Sequence, residues 1–188
     1  MRYRGQVTRR DEVLDAAIRA LGEHGLYGLT HRKVDRAAGL PEGTTSNYFR
    51  TRAKLLTGAV DHLVATEFDV WNQGGAAELT TADDLVELAT RFVEWALTEG
   101  RTRSVARIAL LEAAITEPDV AEVLRAARRQ VEVKAAELCS PLGLDSTGTA
   151  VLLDATDSIT FRQLAIPAPD FGPRAYFERL IGALTTGG

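Results

Sequence analysis

Thr44-Thr45-Ser46-Asn47 sets four short hydrogen-bonding side chains in a row, flanked by basic residues at Arg32, Lys33, Arg50, Arg52 and Lys54. Hydroxyl and amide groups on short stems make directional hydrogen bonds at little entropic cost, and guanidinium and ammonium groups attract phosphate. These residue types suit contact with a nucleic acid better than bond-making chemistry. Asn47 matches an adenine edge, and Arg32 matches guanine or a phosphate. Tyr48, Arg52 and Lys54 are expected to grip the phosphate backbone, with Thr30 assisting, and so to set register.

Such a row must be presented by an element that fits a groove. Two short helical stretches meet at Ala38-Gly39-Leu40-Pro41. Thr30 is placed to cap the first, and Gly39 to end it with a left-handed residue. Pro41 stands where the second would begin, running to about Phe49. Val34, Ala37, Ala38 and Leu40 are small or apolar, as close helix packing requires. Phe49 and Leu55 would lock the second stretch onto a following helix capped by Thr51. A bracing helix, a tight turn and a polar second helix make a helix-turn-helix.

The run Thr30-x3-Val34-x2-Ala37-Ala38-Gly39-Leu40-Pro41-x-Gly43-Thr44-x3-Tyr48-Phe49-x4-Lys54-x-Leu56 resembles the amino-terminal signature of TetR-type transcriptional regulators. The sharp match covers about residues 10–57. The family pattern has Ala after the apolar residue at Val34 and Leu-Tyr after Gly-Thr; this chain has Asp35, Thr45 and Ser46. These changes are expected to spare the turn and to alter the reading surface. The resemblance implies operator contacts from the start of the second helix and from the third, and a helical carboxyl-terminal domain that binds a small-molecule effector and dimerises.

Charge agrees with that division. Residues 1–56 hold eleven Lys/Arg against six Asp/Glu, whereas residues 57–188 hold eleven against twenty. The net charge of −4 therefore conceals a cationic first third, which attracts phosphate, on an anionic remainder. The expected organisation is a helix-turn-helix DNA-binding domain over residues 1–56 and an effector-binding and dimerisation domain over residues 57–188. In the 188-residue chain, 45% hydrophobic and 26% charged residues are ordinary for a globular protein. No apolar run approaches the ~18 residues of a membrane span, and the first six residues lack the apolar core of a secretory signal. Cys139 stands alone, which excludes an intramolecular disulfide and a cysteine-based zinc cage, so a reducing cytoplasm is expected.

Apolar residues recur at helical spacing along the whole chain, giving an all-α fold of about nine helices. Thr8 with Asp11 signals a capping box, and Gly25 ends the first helix. Asn72-Gln73-Gly74-Gly75 breaks the fourth helix, Thr80 or Thr81 opens a fifth that Gly100 closes, and Glu117-Pro118-Asp119 separates a sixth from a seventh. The eighth helix spans roughly 147–165 and the ninth about 174–185.

Phe68, Trp71, Phe92, Trp95 and Phe161, with Asp157 as a polar group, are candidates to line an effector cavity. Phe92 and Trp95, one turn apart, equally describe a core stripe. Ile159, Tyr176, Phe177, Leu180, Ile181 and Leu184 are candidates for a homodimer interface, against the alternative that they cover their own subunit's core.

Enzyme chemistry finds little support. His24, His31 and His62 are scattered, and no nucleophile elbow, Walker loop or metal-ligand spacing occurs. No cofactor and no metal are expected. The expected function is a ligand-responsive repressor that binds a pseudo-palindromic operator in double-stranded DNA as a homodimer, without a membrane partner. The rival is a helical protein-interaction module whose helix-turn-helix does not bind DNA.

Overall fold

A computed structural model describes residues 8–73, 76 and 79–186. These residues form α1 (Arg9–His24), α2 (His31–Ala38), α3 (Thr44–Tyr48), α4 (Arg52–Gln73), α5 (Ala82–Leu97), α6 (Arg101–Thr116), α7 (Pro118–Cys139), α8 (Ser146–Ala165) and α9 (Pro173–Thr186), with 3-10 turns at Gly25–Gly28 and Ser140–Leu142. There is no strand among them.

Local chemistry sets most of the ends. Thr8 Oγ accepts from the Asp11 N–H at 3.2 Å while Asp11 accepts from the Thr8 N–H at 3.0 Å, closing the capping box of α1. Thr81 and Asp84 repeat the device at α5, at 3.2 and 2.8 Å. The Thr80 backbone N–H, then the hydroxyls of Thr81 and Thr80, push the Asp84 carboxyl down to about 2. Asp145 caps α8, and Pro118 opens α7 as a first-turn proline. The third helix departs from expectation: it starts at Thr44, not near Pro41, because Gly43 at φ 94° interrupts the chain just before it. Of the expected break after α4, Gly74 and Gly75 lie outside the described residues.

Packing divides the chain into two compact units. The first comprises the residues up to Ala65 together with Val105–Arg125; the second comprises Thr66–Ser104 and the residues from Ala126 onward. In the first, Val13, Leu14, Ala17, Ile18 and Leu21 of α1 are buried, as are Val34, Phe49, Leu55 and Leu56. These are the periodic apolar positions of α1, Val34 at the turn, and the Phe49 and Leu55 that lock α3 onto α4, so hydrophobic burial holds α2 and α3 against α1 and α4. Ala37 is exposed, and Ala38 and Leu40 are half-buried.

The second unit centres on Leu85, Val86, Ala89 and Val93 of α5, Leu152 and Ile159 of α8, and Phe177 and Ile181 of α9, with Cys139 and Leu144 beside them. Burial pushes the Cys139 thiol pKa up. Arg174 ties α9 to α5 through Asp83 at 2.8 Å and Glu87 at 2.7 Å. Ile159, Phe177 and Ile181 are 4%, 0% and 1% exposed within a single chain, so these three cover their own subunit's core. Leu180 and Leu184 pack against the same core, and only Tyr176 of the six is exposed. An amphipathic stripe shows that a face must be covered, not which chain covers it. No described helix is long and apolar enough to cross a membrane.

Candidate nucleic-acid interface

The turn between α2 and α3 is built from two left-handed glycines and one buried carboxylate. Thr30 caps α2 by accepting from the Lys33 N–H at 3.3 Å, and Gly39 ends it at φ 67°. Gly43 is the N-cap residue of α3 and has no side chain with which to cap it. Asp35, 2% exposed, does so from the preceding helix. Its Oδ2 accepts from the Gly43 N–H at 2.8 Å, and its Oδ1 accepts from the Thr45 N–H at 2.7 Å and the Thr45 hydroxyl at 2.5 Å. Burial would raise the Asp35 pKa, but hydrogen bonds from the Thr45 hydroxyl and the Thr45 and Gly43 amides outweigh it and hold the carboxyl below its usual range.

The far end of α3 is fixed separately. The Phe49 N–H donates to the Thr45 carbonyl at 2.8 Å, and His31 Nε2 lies 2.6 Å from the Phe49 carbonyl, which only an Nε2–H can satisfy. The Phe49 ring packs on α4 at Gly58, where an added Cβ would lie 2.6 Å from Phe49 Cε1. Arg10 places its guanidinium 5.2 Å from the same ring's centroid.

Held at both ends, α3 exposes Ser46, Asn47 and Tyr48; Thr30, Arg32 and Lys54 are exposed too, and Thr44 is half-buried. The Thr44 hydroxyl donates to the Pro41 carbonyl at 2.7 Å and that of Ser46 to the Gly43 carbonyl at 2.8 Å. Toward an incoming partner both hydroxyls are therefore acceptors. The Asn47 amide has no hydrogen-bond partner among the described residues, so its donors and its acceptor are all available. Lys54 makes no ion pair among the described residues. Arg32 lies 3.9 Å from Glu42 with both side chains mostly in solvent, a contact too screened to hold it.

Two expected DNA contacts are placed elsewhere. Thr45 is fully buried and spends its hydroxyl on Asp35, so it does not offer that group to a groove. The family departures at Asp35 and Thr45 thus rebuild the inside of the turn, and Ser46 alone of the three changes the surface. Arg52 donates Nη1 to Glu117, at the corner between α6 and α7, so one of its N–H donors is engaged within the chain while the side chain stays 40% exposed. Asp35, His31 and Glu117 are the positioning residues that sequence reasoning missed. Asp35 was visible as a departure from the pattern; its partner was not. Glu117 meets Arg52 across 65 positions, beyond the reach of any local signal.

The second unit offers a groove of about 700 Å³ lined by Phe68 of α4 and, from α7, Ala126, Arg129, Gln130, Val133 and Lys134. Of the six candidates for an effector cavity, Phe68 borders it. Trp71, Phe92 and Trp95 instead continue from Phe68 as an aromatic series, with successive centroids 5.7, 6.4 and 5.8 Å apart. Asp157 faces Arg128 at 3.3 Å, and Arg128 also holds Asp154 at 2.7 Å. Phe161 is half-buried on α8. No group of three His, Cys, Asp or Glu side chains able to hold a metal occurs among the described residues.

Known proteins resemble this chain in sequence and fold. Residues 13–59 match the family model of bacterial regulatory proteins of the tetR family, and residues 80–187 match that of the tetracyclin repressor-like C-terminal domain. The HTH-type transcriptional regulator BetI of Serratia proteamaculans is 32% identical over 60 residues, a stretch covering 32% of this chain and 30% of BetI. A transcriptional regulator from Rhodococcus sp. Rha1 superimposes with a TM-score of 0.81 at 22% identity over 96% of this chain and 97% of its own, a likeness of fold. The multidrug binding protein EbrR, complexed with ethidium, gives a TM-score of 0.73 at 29% identity over 92% of this chain and 98% of its own.

Proposed function

Because this chain belongs to the TetR family of bacterial transcriptional regulators, we propose that it acts in the cytoplasm as a ligand-responsive repressor that binds a pseudo-palindromic operator as a homodimer. The family is one of transcriptional regulators, which are generally not enzymes. Residues 1–56 are the DNA-binding part in this reading, and residues 57–188 bind the effector and the second subunit. The observation that carries it is α3: a short helix, held at both ends, that leaves the Asn47 amide unpartnered and flanked by Ser46, Tyr48 and Lys54. Two such helices, one per subunit, would enter successive major grooves about 34–36 Å apart.

EbrR binds ethidium, and the aromatic series from Phe68 to Trp95 supports an effector with apolar surface here, entering beside Phe68. The effector would favour a state with a different helix spacing and so shift the population away from the operator; α4, which carries the chain from one compact unit into the other, is the proposed lever.

The test begins with a duplex selected by the wild-type protein from a randomised pool. Affinity for it should fall linearly in log salt, by about 0.9 per phosphate contact. A chain that shows little duplex affinity at low salt would be a protein-interaction module instead. Asn47→Ala is expected to flatten base preference at one position in each half-site by about 1–3 kcal/mol; a profile across single-base variants identical to wild type would remove Asn47 from direct readout. Glu117→Gln should free Arg52 for the backbone and steepen the salt slope by about one contact per subunit. An unchanged slope would show that Arg52 does not reach phosphate.

A further inference from the structure

α3 has five residues and an N-cap residue without a side chain, so its placement needs help from outside the helix. Asp35 supplies it: both carboxylate oxygens are spent on the first turn, on the Gly43 N–H and on the N–H and hydroxyl of Thr45. In the pattern that this chain resembles, the same two positions hold Ala and Leu, apolar side chains that make no hydrogen bond. Here they hold Asp35 and Thr45, each nearly or fully buried and each the other's partner. Without the Thr45 hydroxyl the buried carboxylate would keep only its two backbone N–H donors, and without Asp35 the threonine would bury an unsatisfied hydroxyl. The two departures therefore support each other.

We propose that Asp35 is a positioning residue for DNA reading, which caps α3 from α2 and fixes the angle at which Ser46 and Asn47 meet the groove, with Asp35 and Thr45 acting as one unit exchangeable for the apolar Ala–Leu pair. The proposal rests on the reading of α3 as the DNA-contacting helix. It differs from a merely stabilising contact because directional hydrogen bonds set an orientation, and orientation governs discrimination between duplexes more than affinity for DNA in general.

The experiment uses the full chain, the duplex that wild type selects from a randomised pool, and a scrambled duplex of the same length. The readout is the ratio of the two affinities, measured well below the melting temperature of each variant. Asp35→Ala and Asp35→Asn are expected to lower that ratio by about ten-fold or more, with binding to the scrambled duplex nearly unchanged. Thr45→Leu alone should lower it too, by a smaller factor, because the buried carboxylate loses its hydroxyl donor and faces an apolar side chain instead. The double change Asp35→Ala with Thr45→Leu should restore the ratio to within about three-fold of wild type, a non-additivity that only partners show. In the free protein, Asp35→Asn should speed amide exchange at Gly43 and Thr45, a readout that needs no DNA.

An unchanged ratio in a folded Asp35→Asn protein, or a double variant no better than the single ones, overturns the proposal. Should Asp35→Ala fail to fold, the asparagine and double variants decide it. A wild-type chain that enriches no duplex at all sinks the DNA reading itself and the positioning role with it. That result is distinct from normal enrichment with an indifferent Asp35.

Discussion

Replacing Phe49 with alanine is expected to destabilise the amino-terminal unit by about 3–5 kcal/mol and to abolish operator binding. Phe49 is 5% exposed, and its ring fills the space that Gly58 leaves on α4. Its backbone closes α3 through Thr45 and receives the imidazole of His31 at 2.6 Å. Truncation would empty the contact that seats the reading helix on the next one, leaving α3 held by the Asp35 clasp and by hydrogen bonds to the residue-49 backbone. Thermal unfolding followed by circular dichroism gives the stability, and fluorescence anisotropy on the selected duplex gives the binding. A variant that unfolds within about 1 kcal/mol of wild type and still binds would show that α3 is seated by other contacts.

Phe177→Ala should cost a similar amount, about 3–5 kcal/mol, for a different reason. The side chain is 0% exposed and is surrounded by α5, α8 and α9 of its own chain, with the Tyr176 ring edge-on at a centroid distance of 5.6 Å. A residue in its own subunit's core loses the same free energy at any protein concentration. A residue whose burial depended on a second subunit would instead show a loss that shrinks as the protein is diluted and the dimer parts. Urea unfolding of wild type and variant at two concentrations a hundred-fold apart separates the cases. A mutational effect that vanishes on dilution would return Phe177 to the subunit interface.

What the sequence made legible was local. The Thr8–Asp11 and Thr81–Asp84 boxes, Gly39 after α2 and Pro118 at the head of α7 act within a turn of their own positions, and the structure has them as read. The start of α3 was misplaced at Pro41 because its cap comes from Asp35, eight residues before Gly43 and on another helix. Thr45 and Arg52 have the right chemistry for DNA, but their directions depend on partners that only folding brings near. Asp157 meets Arg128 of α7, 29 positions away, a partner that no local pattern announces. The stripe of Ile159, Phe177 and Ile181 was plain, and the identity of what covers it was not, because periodicity carries no information about the neighbouring surface.

Cys139, buried at 3% exposure with its thiol held in the unreactive protonated form, has a practical consequence. Maleimide dyes and nitroxide labels should pass it by at neutral pH, so the natural chain already behaves as though cysteine-free. A thiol engineered onto the solvent side of α2, at Lys33 for instance, would then carry the only label on each polypeptide. Paired labels would act as a ruler, reporting the separation of two reading heads as candidate inducers are added one by one.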